Sequence, residues 1–195
     1  MVRWILGLLL TVGLTMGAYT ADGETYTWRE DVRGWFIGVD RTIGDGCYMV
    51  SIFEGGTRVR AHFHPGNETF AFVVGDPDWR SIEGGKYYPM SVQFGNRSPW
   101  TGNGLGWWWD QDLPSIIMEV PFSDADRVDN FIEEFMRMTS VRVSYQGSVV
   151  AHLSLSGTFA AMLSMFECQS EMMSGTPEGI DPFSSTPRGG PDPFR

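Results

Sequence analysis

The sequence predicts a mainly β protein, an antiparallel sandwich or flattened barrel with two helices on its C-terminal side. Between residues 35 and 120, short runs rich in β-branched and aromatic residues are separated by Gly, Pro and Asn turn signals. Farther along, two segments carry apolar residues at intervals of three and four, which is typical of amphipathic helices. Aromatic residues make up 14% of the chain, enough to fill one apolar core.

Eight segments are predicted as strands: residues 35–39, 47–53, 57–64, 69–74, 86–94, 115–120, 141–145 and 149–155. In the third segment Arg58, Arg60 and His62 share one face, because side chains alternate along a strand. The turn Gln146-Gly147 joins the last two segments as a hairpin. The glycine-rich residues 102–106 are predicted as a loop, since the helix and lysine of a phosphate-binding motif do not follow.

Two helices complete the predicted elements. The first begins with Ser123 as its N-cap and Asp126 as the capping-box partner. Its predicted buried face consists of Val128, Phe131, Ile132, Phe135 and Met138. The second begins at Ser156 or Gly157 and ends near Met172. It is apolar nearly all round, so it is predicted to pack against the sheet through Phe159, Met162, Leu163 and Phe166.

Composition divides the chain into four parts. In residues 1–21, Arg3 is followed by an apolar run and then by small residues, which is the order found in secretory signal peptides. Cleavage is predicted after Gly17, with Ala18 and Ala21 as competing positions, and an uncleaved N-terminal anchor is the alternative. Residues 22–34 are predicted as a linker and residues 35–174 as the β-rich domain. Residues 175–195 are rich in Pro, Gly and Ser and are predicted to be a disordered tail, which repeats Asp-Pro-Phe at residues 181–183 and 192–194. That repeat is either a docking peptide or a chance recurrence.

The chain is acidic, with a formal net charge of -10 that becomes -11 when residues 1–21 are removed. Nucleic-acid binding depends on neutralising phosphates with Lys and Arg, so this charge argues against a nucleic-acid partner. No segment after the signal is long and apolar enough to suggest a membrane span. The predicted location is the periplasm or the extracellular space.

Cys47 and Cys168 are the two cysteines of the chain. An oxidising destination favours a disulfide between them, and the alternative is two buried free thiols. Their spacing lacks the short pairs typical of zinc ligands. We expect the bridge to attach the last helix to the sheet.

Candidate chemistry in the sequence is sparse, and no cofactor is predicted. His62 and His64 share one strand face and are weak candidates for a metal site, with Glu68, Glu54 or His152 as a third ligand. The alternative is that the two histidines form an ordinary polar face. Ser154 and Ser156 lack the elbow motif of a nucleophilic serine.

The most unusual local feature is the tryptophan-rich segment from Trp100 to Asp110. Trp107, Trp108 and Trp109 cannot all point into one core from a single strand, so at least one is expected to be partly exposed. Trp100, Trp107, Trp108 and Trp109 are therefore candidate contact residues for a glycan or an envelope protein. The alternative is a strand that is buried on both faces. Trp79 is predicted to fold back from its loop as a plug.

Three stretches resemble a family of small, largely uncharacterised secreted proteins of proteobacteria. The first comprises W-F-I-G-V-D and C-Y-M-V-S-I-F-E-G-G-T, and the second is W-R-S-I-E-G-G-K-Y-Y-P-M-S-V-Q-F. The third is V-S-Y-Q-G-S-V-V-A-H-L-S-L-S-G-T-F-A-A-M-L-S-M-F-E-C-Q. This stretch is also similar to the end of invasion-associated locus B proteins. The chain departs from those proteins in cysteine number and in its N-terminal half. The resemblance spans most of residues 35–169. It implies a periplasmic or secreted β-rich domain with a disulfide and assigns no reaction.

Taken together, these observations favour an exported, non-enzymatic binding or accessory protein of the bacterial envelope. One alternative is an inhibitor of a secreted hydrolase, because a compact exported β domain with one disulfide suits that role. A hydrolase or metal-dependent enzyme is the remaining alternative, and it depends on His62 and His64 meeting a carboxylate in one cleft.

Overall fold

The computed structural model describes residues 25–109 and 112–174. Ten strands lie in one antiparallel sheet: β1 (Thr25–Arg29), β2 (Phe36–Asp40), β3 (Gly46–Ile52), β4 (Arg58–His64), β5 (Thr69–Gly75), β6 (Tyr87–Phe94), β7 (Trp100–Trp109), β8 (Leu113–Pro121), β9 (Ser140–Tyr145) and β10 (Ser148–Ser154). The helices are α1 (Ala125–Arg137) and α2 (Thr158–Met173). The predicted signal peptide, the predicted tail and its Asp-Pro-Phe repeat lie outside the described residues.

The strand order across the sheet is β1-β2-β3-β4-β5-β8-β7-β6-β9-β10, and every pairing is antiparallel. Among the described residues β1 and β10 are the two edge strands, so the sheet is not closed, as in a sandwich or a flattened barrel. This confirms the predicted mainly β class with two helices on the C-terminal side. The predicted hairpin is also confirmed, because Gln146 and Gly147 both have positive φ, as its turn requires.

The core lies between the helices and one face of the sheet, called here the helix face. α2 packs on β2 and β3, and α1 packs on α2 and β8. Phe131 and Phe135 of α1 meet Phe72 and Phe94 of the sheet in edge-to-face or tilted contacts, with ring centroids 5.0–5.9 Å apart. The burial predicted for Val128, Phe131, Ile132 and Phe135 is confirmed.

One disulfide joins Cys47 of β3 to Cys168 of α2, with both side chains fully buried. Beside it, the Gln169 Oε1 accepts a hydrogen bond from the backbone N–H of Cys47 at 2.8 Å. The bridge therefore attaches α2 to the sheet as predicted, and the neighbouring glutamine satisfies a buried backbone donor.

Three predictions about the elements need correction. The segment predicted as a linker contains β1, whose Tyr26 and Trp28 face α2: the Tyr26 hydroxyl donates to the sulfur of Met172 and the Trp28 Nε1 donates to Glu171. β1 is held by its antiparallel pairing with β2 and by these side-chain contacts with α2, and both depend on residues that follow it in the sequence. At α1 the N-cap is Asp124, not Ser123, and its side chain makes no capping hydrogen bond.

The third correction concerns residues 102–106, which are part of β7 and not a loop. A Cβ on Gly104 would collide with the side chain of Ile116, and a Cβ on Gly106 would collide with the carbonyl oxygen of Glu83. The glycines are therefore present because neighbouring groups approach the helix face of β7 closely. A glycine used for close approach has the same sequence signature as a glycine used for a turn.

Candidate functional site

The tryptophans at the end of β7 lie on both faces of the sheet. β7 pairs with β8 so that Trp107 is opposite Ser115 and Trp109 is opposite Leu113. Trp107 and Trp109 share the face away from the helices and stack, with ring centroids 6.5 Å apart and planes 28° apart. Trp108 projects from the helix face. Trp109 is buried, whereas Trp107 and Trp108 are 39% and 40% exposed, so the predicted partial exposure is confirmed.

Beside Trp109 lies a shallow cleft on the face away from the helices, called here the arginine cleft. Its volume is about 250 Å³, and it is lined by Thr25, Tyr48, Val50, Ile52, Arg58, Arg60 and Trp109. The Arg58 guanidinium lies 5.9 Å from the centroid of the Trp109 ring, and the Arg60 guanidinium lies 4.4 Å from that of Tyr48. The cleft thus combines aromatic surfaces with guanidinium groups, although the chain as a whole is acidic.

The floor of the arginine cleft is held by a buried ion pair. Arg60 Nη2 contacts Asp40 Oδ2 at 2.6 Å, and each side chain is only 8% exposed. The Thr42 hydroxyl and backbone N–H also donate to Asp40, at 2.6 and 3.0 Å. Burial acts to raise the pKa of Asp40, but the hydrogen bonds from Thr42 and Arg60 outweigh it and hold this pKa below its ordinary value.

The two histidines lie side by side on β4, on the same face as Arg60. Their ring centroids are 6.1 Å apart, and His64 Nδ1 lies 3.6 Å from Glu119 Oε1. Burial, followed by the nearby positive charge of Arg60, lowers the pKa of His62 to about 3, so its imidazole is neutral at physiological pH. The Nδ1 atoms of both rings are buried and make no hydrogen bond within the described part of the chain.

These histidines do not assemble with the proposed third ligands. Glu68 follows His64 through a 3₁₀ turn and is exposed, while Glu54 precedes the opposite end of β4. His152 is on the edge strand β10. Within residues 25–109 and 112–174, no group of three or more His, Cys, Asp or Glu side chains is placed to hold a metal ion.

Trp100 belongs to a different part of the molecule from the other three candidates. It lies at the opposite end of β7, where its Nε1 donates to Glu134 of α1 at 2.7 Å. Its ring meets Phe131 at 5.3 Å. In the structure Trp100 therefore connects β7 to α1, and the strand separates it from Trp107–Trp109.

On the helix face, Trp108 lies next to the segment between β5 and β6. A Cβ on Gly84 would come 3.3 Å from the Trp108 ring, so this glycine leaves room for the indole. The same segment places Trp79 over the sheet, where it lines a cavity of about 430 Å³ together with Glu83, Tyr88 and Tyr145. Trp79 is half-buried and packs against the main core, in agreement with the predicted plug.

Sequence reasoning missed Tyr48, Arg58 and Arg60 as neighbours of Trp109. One signal was present, since the alternation along β4 placed Arg58 and Arg60 on one face. The pairing of β5 with β8 was not visible, and this pairing places the end of β7 near those arginines.

No protein-family model matches the chain, and no curated protein matches it. Among solved structures, the chain is similar to the crystal structure of invasion associated protein B from Bartonella henselae, with 11% sequence identity and a TM-score of 0.48. The superposition covers 70% of this chain and 94% of that chain. A similarity at this level assigns neither a family nor a function.

In the part of the chain that the structure describes, neither helix combines the length and apolarity that crossing a bilayer requires. The buried disulfide fits an exported protein, because such bonds form and persist in oxidising compartments.

Proposed function

We propose that the chain is an exported, non-enzymatic binding or accessory protein of the bacterial envelope, and that its contact surface is the arginine cleft with Trp107 and Trp109. The observation that carries the proposal is the partial exposure of Trp107, which stacks on Trp109 beside the arginine cleft. Large aromatic side chains are costly to leave in water, and tryptophan is enriched at binding hot spots. The position of Trp107 next to a concave, arginine-lined surface favours ligand binding over accidental exposure.

The chemistry of the cleft favours a glycan that carries carboxylates, such as a peptidoglycan fragment. The stacked rings of Trp107 and Trp109 offer an apolar surface against which the C–H face of a sugar can pack. Guanidinium groups bind carboxylates through paired, charge-assisted hydrogen bonds. Arg58 lies in the cleft lining with its guanidinium 5.9 Å from the centroid of the Trp109 ring, next to the stacked tryptophans, and we assign carboxylate recognition to it.

A rigid floor supports this assignment. The ion pair between Arg60 and Asp40 is buried and is held further by Thr42, so Tyr48 and Trp109 border a surface that does not have to reorganise on binding. A preorganised site loses less conformational entropy when the ligand binds.

The test is intrinsic tryptophan fluorescence of the exported chain, with acrylamide quenching, followed by titration with soluble peptidoglycan fragments and with neutral glycans. We expect red-shifted, quenchable emission that changes with the carboxylate-bearing fragments. Trp107→Ala and Arg58→Gln should each weaken that response at least about tenfold, which corresponds to about 1.4 kcal/mol. Trp28→Phe is the matched control, because Trp28 is a partly buried tryptophan that faces α2.

Two results would refute the proposal. Protected, blue-shifted emission with no response to any glycan would show that the tryptophans are purely structural. A response that Trp28→Phe weakens as much as Trp107→Ala does would place binding elsewhere. A response to neutral glycans alone would retain the surface but remove the role assigned to Arg58.

A further inference from the structure

A second surface feature lies on the other side of the molecule, where α1 and α2 meet the end of β4. A groove of about 640 Å³ runs between the helices, called here the helix groove. Its apolar lining consists of Phe63, Phe122, Val128, Ile132, Phe166 and Met173, and Glu68 and Asp129 also line it. Phe63 connects the two sides, with its ring 5.7 Å from Phe166 and 6.4 Å from Phe122.

The helix groove continues along α2 as an exposed apolar stripe. Phe159, Leu163, Phe166 and Met173 are 38–79% exposed. This corrects the sequence prediction, which assigned Phe159, Leu163 and Phe166 to the buried face. Single exposed apolar residues are normal on a protein surface, whereas a contiguous patch marks a surface that another group covers.

The position of the groove points to the C-terminal segment of the same chain as its occupant. Met173 is the last residue of α2 and lines the groove, and the chain continues from there into residues 175–195. In that segment the large apolar residues are Ile180, Phe183 and Phe194, of which Phe183 and Phe194 belong to the Asp-Pro-Phe repeat.

The chain length suits an intramolecular contact with Phe183. Phe166 lies seven residues before Met173, which is about 10 Å along a helix. Phe183 lies ten residues after Met173, a distance that extended chain covers up to about 33 Å. The segment can therefore turn back and reach the middle of the groove. Because Phe183 is connected to Met173 by only ten residues of chain, its effective concentration at the groove is on the order of mM, so weak affinity is sufficient.

The charges around the groove disfavour an anionic membrane surface or a second copy as its occupant. Glu68 and Asp129 are acidic, whereas residues 178–188 carry a net charge of only -1, from Glu178, Asp181 and Arg188. An anionic membrane surface would be repelled by these carboxylates and by the net charge of -10. A second copy that docked through the same face would bring like charges together.

We infer that residues 180–183 dock in the helix groove of their own chain, with the Phe183 ring packed between Phe63, Phe166 and Met173. The contact covers the exposed stripe, and the sulfur of Met173 meets an aromatic ring, a favourable pairing. The Asp-Pro-Phe motif is thus an intramolecular docking peptide, and a partner that binds this groove must first displace it.

The test is NMR of the full exported chain with ¹³C-labelled methionine methyl groups, in which the Met173 signal is assigned with Met173→Leu. A phenylalanine ring packed on this methyl group shifts its resonance upfield. We expect Phe183→Ala to abolish that shift while the signals of buried Met49 and Met165 stay in place. Phe194→Ala is the matched control, since it removes the same ring from the other motif and should leave Met173 unchanged.

Adding a peptide of residues 178–188 at mM concentration to the Phe183→Ala chain should restore the upfield shift, and the same peptide with Phe183→Ala should not. The inference is overturned if Phe183→Ala leaves the Met173 signal unchanged, or if Phe194→Ala alone moves it. A shift that depends on protein concentration would make a second copy the occupant. A Met173 signal that moves only when vesicles of anionic lipid are added would make the occupant a membrane. Either of these outcomes also overturns the inference.

Discussion

Removing the disulfide should lower thermal stability by an amount that follows from the length of chain it closes. Cys47 and Cys168 are 121 residues apart, and their Cα atoms are 6.1 Å apart in the fold. In the chain-entropy description, closing a loop of this length removes about 5 kcal/mol of freedom from the unfolded state. For a domain of about 150 residues, each kcal/mol corresponds to about 2–4 °C in Tm. The double variant Cys47→Ala/Cys168→Ala should therefore melt about 10–20 °C lower than the oxidised protein.

The assay is thermal unfolding followed by circular dichroism, with a thiol titration in denaturant to establish that the starting protein is oxidised. Gln169→Leu is the companion variant, because it removes the acceptor of the Cys47 N–H and leaves the cross-link intact. An unsatisfied buried donor costs about 1–3 kcal/mol, so this variant should melt about 2–12 °C lower, a smaller loss than that of the double cysteine variant. A double cysteine variant that melts within about 3 °C of the oxidised protein would refute the reasoning, since the unfolded chain would then gain little freedom on losing the bridge.

Three further predictions follow from the face of the sheet away from the helices and from β7. Burial and the charge of Arg60 lower the pKa of His62 to about 3 in the folded protein, so below pH 6.5 the imidazole of His62 takes up a proton when the chain unfolds. The free energy of unfolding should therefore fall as the pH decreases from 6.5 toward 3, by up to about 1.4 kcal/mol per pH unit. His62→Gln should flatten this slope in urea unfolding, and equal slopes for both proteins would contradict the assignment. Asp40→Ala leaves the buried guanidinium of Arg60 without its partner, so the free energy of unfolding should fall by about 3–5 kcal/mol in the same assay. A decrease below about 1 kcal/mol would show that water screens the ion pair. Gly104→Ala should destabilise the fold by about 1–3 kcal/mol or more, because the new Cβ collides with Ile116. Gly102→Ala is the control on the same strand: its Cβ enters open space, so stability should change by less than about 1 kcal/mol. Equal effects of the two substitutions would show that the collision at residue 104 is relieved.

The charge pattern gives one further contrast between sequence and structure. The acidic composition, with a net charge of -10, argues against a nucleic-acid partner. Folding nevertheless gathers Arg58 and Arg60 beside Trp109 on one face, so the local chemistry of the cleft differs from the average chemistry of the chain. An average over the sequence cannot show which charges become neighbours.

Local patterns were sufficient for the fold class, for eight of the strands, for the buried face of α1 and for the pairing of Cys47 with Cys168. Each depends on information within a few residues, or on the chemistry of one residue type in an oxidising compartment. The sequence was also enough to show that three consecutive tryptophans must divide between two faces, because alternation along a strand is a property of the backbone.

Tertiary structure decided the remaining features. Residues 102–106 form a strand because they pair with β6 and β8, and Gly104 and Gly106 are glycines because Ile116 and Glu83 leave no room for a Cβ. β1 is held by its pairing with β2 and its contacts with α2. α2 is apolar on nearly every side, so its own periodicity cannot choose a buried face. The disulfide and Gln169 choose it by turning Cys168 toward β3, and this rotation leaves Phe159, Leu163 and Phe166 at the surface. The physical reason is the same in each case: these choices depend on groups distant in sequence, which become neighbours only when the chain folds.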